Sequence, residues 1–245
     1  MTTNCLNCNK EIAENFCTYC SQSTSTHRFS LSHVFQHDLI HGIFHFDKGF
    51  FYTIKELFSR PDHSIREYVQ GKRVKHFNYF ATIILLLTIT YFLKKWTKID
   101  ASAIFDESST SGLFKVLKDY SKITVFLHIP IIALVSYLFF RKSKQNYTEN
   151  LVLNLYLLCG LLTISLIFPI CMIFSGDRDF VVAVNFFLTF VTFVYIIIFF
   201  YQYFLVFGYK KYQLIIKAIV IAILYLVLKQ LTNIVLNTIG HNFFH

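Results

Sequence analysis

The sequence predicts an all-α membrane protein of about five transmembrane helices, preceded by a small metal-held head, and three observations carry that prediction. Of the 245 residues, 55% are hydrophobic and 15% charged, against roughly 25% charged residues in soluble domains. After residue 76 the apolar residues gather into long runs near the ~20 residues that a helix needs to cross a bilayer core. Four of the six cysteines fall within the first 20 residues as two Cys-x-x-Cys pairs.

The head, residues 1–26, is defined by Cys5, Cys8, Cys17 and Cys20, two knuckles with eight residues between them. Four thiolates so spaced can close a tetrahedral site around one structural zinc ion, and a filled shell leaves no open position for catalysis. A head of about 25 residues cannot bury enough apolar surface to fold alone, so the metal must supply most of its folding energy. Lys10 and Arg28 are balanced by Glu11 and Glu14. That leaves no electrostatic footprint for phosphate contacts, so nucleic acid is excluded and a cytosolic protein partner is expected. The first 30 residues hold no apolar core of a secretory signal, which places the head and the N-terminus in the cytosol.

Residues 27–76 read as an amphipathic, basic collar at the cytosolic membrane surface. His33, His37, His41 and His45 recur every fourth residue and so share one helix face. They line the interfacial side of a helix carrying Leu31, Val34, Phe35, Leu39 and Ile40, or His33, His37 and His41 hold a second metal. From Lys48, the residues Phe50, Phe51, Ile54, Leu57 and Phe58 form an apolar face with Lys55 and Glu56 opposite. Pro61 is expected to stop that helix. A second is expected to start at Ser64 with Glu67 completing a capping box, to bury Ile65, Tyr68 and Val69, and to end at Gly71. The bases Arg60, Arg66, Lys72, Arg73 and Lys75 suit the headgroups of anionic phospholipid, at about 1 kcal/mol each. Alternatively, Arg60, Arg66, Lys72 and Arg73 converge on one phosphate or carboxylate ligand.

Four short runs, C-x-N-C at Cys5–Cys8, F-C-x-x-C-x-Q at Phe16–Gln22, T-x-x-x-L-x-x-R-P at Thr53–Pro61 and R-x-Y-x-x-G-K-R at Arg66–Arg73, give this chain a resemblance. It resembles a family of uncharacterised bacterial multi-pass membrane proteins with a four-cysteine zinc ribbon, domain of unknown function 3667. The resemblance is specific to about residue 80 and hydropathic beyond. It implies a bacterial cytoplasmic membrane and no particular activity. Two positions depart from its pattern: Ser21 and Asp62 stand where glycine is expected.

The remainder, residues 77–245, is the transmembrane domain, with expected spans at 77–93, 123–140, 151–174, 180–207 and 214–236. Arg141–Lys144 and Lys210 with Lys211 mark inner loops, consistent with a basic collar inside. The lysine-bearing loop 94–122 is the exception to that rule. No acidic residue falls within these spans, which removes the usual machinery of an ion-coupled pump. His128, Asn154, Asn185 and Gln202 are expected to make interhelical hydrogen bonds. No nucleophile motif, phosphate loop or metalloprotease signature occurs. A non-enzymatic adaptor or assembly factor is therefore expected, with a transporter or lipid-handling protein that binds an anion at the collar as the alternative.

Overall fold

The computed structural model describes residues 3–12, 15–24, 49–97, 121–175 and 177–243. His33, His37, His41 and His45 lie outside the described residues, as does most of the loop 94–122. The head is a hairpin of β1 (Thr3–Asn4) and β2 (Glu11–Ile12), antiparallel with Thr3 opposite Ile12.

The collar is two helices, α1 (Gly49–Ser59) and α2 (Pro61–Val69). Pro61 does more than end α1, because it is the first residue of α2, where its missing N–H costs no hydrogen bond. Ser64 is therefore inside α2 and not its cap, and no side chain caps that N-terminus. The C-terminus follows the sequence expectation. Gly71 takes φ 100°, its N–H bonds Tyr68 O at 3.1 Å, and the Lys72 N–H reaches Glu67 O at 2.9 Å. This paired closure needs a left-handed residue at Gly71, which a Cβ would oppose.

The bundle follows as α3 (Tyr79–Thr97), α4 (Ser121–Phe139), α5 (Tyr147–Ser165) with its short continuation α6 (Ile167–Cys171), α7 (Arg178–Leu205) and α8 (Lys211–Phe243). Four stretches are long and apolar enough to cross a membrane: Tyr79–Thr97, Tyr147–Cys171, Arg178–Leu205 and Lys211–Thr232. The expected span in α4 is represented by a shorter apolar stretch, His128–Phe139. On the outer faces, Phe186, Phe187 and Phe190 of α7 are 77%, 61% and 59% exposed. Apolar faces of that extent belong against lipid, and mark a membrane protein.

Helix α5 is the centre of the bundle, with 72% of its apolar stretch buried against 22% to 33% for the other three. It begins a turn before the expected Leu151, because Asn146 and Glu149 form a capping box with both bonds at 2.7 Å. Glu149 therefore lies in the first turn of this helix, buried, and serves as a cap. Asn154 makes the expected interhelical bond, its Nδ2 donating to Ser136 Oγ of α4 at 3.1 Å, whereas Gln202 Oε1 is buried without a hydrogen-bond partner. His128 Nε2 and Thr232 Oγ1 of α8 hydrogen-bond at 2.6 Å. One apolar core runs from Leu57, Ile65 and Tyr68 of the collar through Tyr79 and Tyr156 to Phe199 and Phe204. The collar's apolar stripe is thus packed into the bundle itself.

Candidate functional site

The head repeats one local structure twice. The Cys5 N–H bonds Lys10 O and the Asn9 N–H bonds Cys5 O, both at 2.8 Å; Cys17 with Gln22 and Ser21 with Cys17 do the same at 2.9 and 2.8 Å. Each knuckle closes on a left-handed residue, Asn9 at φ 60° and Ser21 at φ 59°. This is why glycine is the natural residue at Ser21: a Cβ there costs about 1 kcal/mol. Ser21→Gly is accordingly expected to tighten the head by about 1 kcal/mol, seen as slower metal loss to a chelator; loss at an unchanged or faster rate would contradict the strained-knuckle account.

The knuckles bring four sulfurs together. Cys5 and Cys20 lie 3.6 Å apart, Cys8 and Cys17 3.5 Å, and all four ligand atoms fall within 4.8 Å of one another. A tetrahedral metal with sulfur at about 2.3 Å has sulfur–sulfur edges of roughly 3.8 Å, so the cluster can hold a metal ion. Burial acts to raise the Cys20 thiol, but the Gln22 backbone, the Asn7 side chain and the Cys5 and Cys8 sulfurs bring it down to about 7. The Cys8 thiol is pulled down by the Lys10 backbone, yet burial and the three other cysteines push it up to about 12. Cys5, Cys8, Cys17 and Cys20 would hold such an ion as thiolates, so its binding would release thiol protons.

A hydrogen bond joins this head to the collar. Gln22, 5% exposed, accepts the Arg73 N–H on its Oε1 at 3.3 Å. The Arg73 guanidinium meanwhile lies over the Tyr68 ring, 5.4 Å from its centre. Leu6, Phe16 and Tyr19 of the head stand 49%, 61% and 70% exposed.

The collar is locked to the bundle by backbone carbonyls and amides that accept or meet buried side chains. Thr53 Oγ1 accepts the Phe77 N–H at 2.8 Å, and Tyr156 of α5 donates to Phe77 O at 3.0 Å. Tyr195 of α7 donates to Leu57 O at 3.2 Å, passing directly over Gly160 of α5. Tyr68 meets His76, Tyr79 and Tyr156 edge to face. The motif residues Thr53, Leu57, Pro61, Tyr68, Gly71 and Arg73 are therefore the ones that shape the collar and seat the head.

Three of the five collar bases are paired with carboxylates of the collar itself. Arg60 Nε pairs with Glu56 at 2.7 Å, Arg66 with Asp62 at 3.7 Å, and Lys72 with Glu67 at 3.2 Å. Arg66 keeps one buried nitrogen, Nη1, without a hydrogen-bond partner. Lys75 is exposed. Glu56, expected opposite the apolar face, is instead 3% exposed because Arg60 neutralises it. Phe51 and Phe58, expected in the apolar face, are 81% and 46% exposed.

Beneath these pairs, Ser64 Oγ and His76 Nδ1 hydrogen-bond at 3.1 Å, and His76 Nε2 lies 3.9 Å from Glu67. The Ser64 side chain is buried and the His76 side chain only 2% exposed, so the pair is closed to substrate. Burial holds the His76 imidazole below its ordinary range, opposed by Glu67 and Glu56 and assisted by His63 and Lys75. The unfolded chain therefore takes up this proton first, near pH 6.5. Stability from His76 is full above that pH and falls as pH drops below it. Unfolding temperature in detergent is expected to fall between about pH 7.5 and 5.5, and less so for His76→Gln. Loss of metal in acid is common to both proteins, so parallel profiles would refute the assignment.

The Gln22–Arg73 contact and the Tyr195 anchor had no separate signal in the sequence; the Gln22 and Arg73 positions within the motif runs were the only pointer. Residues 47–91, the collar and most of α3, match the family described as protein of unknown function (DUF3667). No curated protein and no solved structure matches the chain.

Proposed function

We propose that this chain is a non-enzymatic, multi-pass protein of the bacterial cytoplasmic membrane, with about five spans and the N-terminus in the cytosol. Its head is a ribbon closed by one structural zinc ion on Cys5, Cys8, Cys17 and Cys20, and it serves to dock a cytosolic protein partner. The observation that carries this reading is the exposure of Leu6, Phe16 and Tyr19 on a head held to the collar from the Gln22 side. Such a small unit gains nothing in its own fold by exposing three large apolar side chains, whereas aromatic side chains are the usual anchors of a protein interface. A sulfur shell with all four positions filled by the protein supports a structural rather than a catalytic ion.

The test is a photo-reactive amino acid at position 19 of the full-length protein in cells. A light-dependent adduct with one cytosolic protein is expected, lost when Cys5→Ser unfolds the head or when Leu6 and Phe16 become serine. Absence of any adduct, or an adduct indifferent to both changes, would overturn the reading.

A further inference from the structure

The collar bases are largely neutralised by Glu56, Asp62 and Glu67, but a second basic group at the same end of the bundle is not. The end is the same because the charge of Arg66 in the collar reaches Tyr203 near the end of α7, and Gln145, just before α5, donates to the same hydroxyl at 2.6 Å. There the turn after α4 meets the turn between α7 and α8. Lys142 Nζ donates to Gly208 O, and Lys217 Nζ donates to Phe139 O at 2.6 Å.

Both ammoniums sit against the same ring. Lys142 Nζ is 5.5 Å and Lys217 Nζ 4.9 Å from the centre of Tyr209, so they lie within about 10 Å of each other, the screening length in moderate salt. Lys217 also lies over Phe140, and Arg141 over Tyr137. Arg141, Lys210 and Lys211 are exposed around them. Among the described residues, none of Arg141, Lys142, Lys210, Lys211 or Lys217 has a carboxylate within 4.0 Å. Each of the two lysines uses one ammonium hydrogen on a helix-end carbonyl and keeps others for a ligand oxygen. Below them the first turns of α8 present Tyr212, Ile215 and Ile216 at 57%, 43% and 58% exposure.

We propose that Arg141, Lys142, Lys211 and Lys217 bind the phosphate of an anionic phospholipid whose acyl chains run along Tyr212, Ile215 and Ile216. A phosphate bound by the two ammoniums relieves a repulsion that no carboxylate among the described residues relieves. The exposed apolar side chains at the start of α8 favour a lipid ester over free phosphate, since they offer a path for acyl chains. The site is distinct from the collar, where Arg60, Arg66 and Lys72 have carboxylate partners.

Native mass spectrometry of the full-length protein in mild detergent tests this with phosphatidylglycerol and phosphatidylcholine at matched concentration. Phosphatidylglycerol is expected to be retained selectively, and Lys142→Gln with Lys217→Gln to weaken it by about thirtyfold. Because those lysines also hold helix ends, Arg141→Gln with Lys211→Gln is the second variant, expected to weaken retention by about tenfold or more. Lys75→Gln in the collar leaves it unchanged. Equal retention of the two lipids, or wild-type retention in the Arg141 and Lys211 variant, overturns the site. Displacement of the lipid by millimolar inorganic phosphate overturns the lipid assignment in favour of a soluble anion.

Discussion

Replacing Cys5 and Cys8 together by serine is expected to remove the metal and unfold the head while the helices remain. The apolar core of the head is Cys5, Ile12 and Cys17, with Cys8 and Cys20 packed against it. That is far too little to offset the ordering of about 20 residues at 1–2 kcal/mol each. Metal binding, at about 10–16 kcal/mol in comparable four-ligand sites, would therefore be the main source of the head's stability. Elemental analysis should find one zinc per wild-type chain and none in the variant. Helix content by circular dichroism should be nearly unchanged, because the bundle core does not include the head. Limited proteolysis should then cut first within the region of Cys17. A variant that keeps its full metal complement would sink the four-cysteine site, and would bring His33, His37 and His41 forward as ligands.

The second large effect concerns Gly160. A Cβ at this position would collide with the Tyr195 hydroxyl, and would lie only 2.6 Å from Cζ and 2.7 Å from Cε1 of that ring. Both neighbours are on packed helices, so the strain has no cheap outlet. Gly160→Val is expected to cost about 3 kcal/mol or more, from overpacking and from leaving Leu57 O without its buried donor. Unfolding temperature in detergent would fall, and cleavage of the collar by protease would rise. Tyr195→Phe alone removes only the hydrogen bond, at about 1–2 kcal/mol. Tyr195→Ala combined with Gly160→Val frees the space, so the double change should cost less than the sum of the two singles. Strict additivity would show that the two residues do not meet.

The two helices of the collar, the role of Gly71 and the four thiolates follow from local rules that depend on a few neighbouring residues: proline geometry, left-handed closure and ligand spacing. The start of α2 was misplaced because Ser64 and Glu67 carry the letters of a capping box. Yet Pro61 already satisfies the demand for a residue without an N–H at the helix start. The start of α5 was missed by a turn although Asn146 and Glu149 are a genuine box. Hydropathy weighs against a buried carboxylate, and only the cap's two hydrogen bonds make it tolerable.

Burial on the collar was the harder matter. An amphipathic stripe says that one face is covered without saying by what, and lipid and protein are equally apolar covers. Only packing decided that Leu57, Ile65 and Tyr68 belong to the protein's core while Phe51 and Phe58 remain outside it.

By itself, then, the sequence determined the class of the molecule, the metal-ready cysteines and the order of head, collar and bundle. Composition, spacing and periodicity act along the chain and need no partner. The tertiary structure decided which bases are neutralised and which stand without a carboxylate, how Gln22 meets Arg73, and why Gly160 has no side chain. Each of these depends on groups dozens of residues apart brought within a few ångströms, and the strengths of charge pairs, hydrogen bonds and steric contacts change over that distance alone.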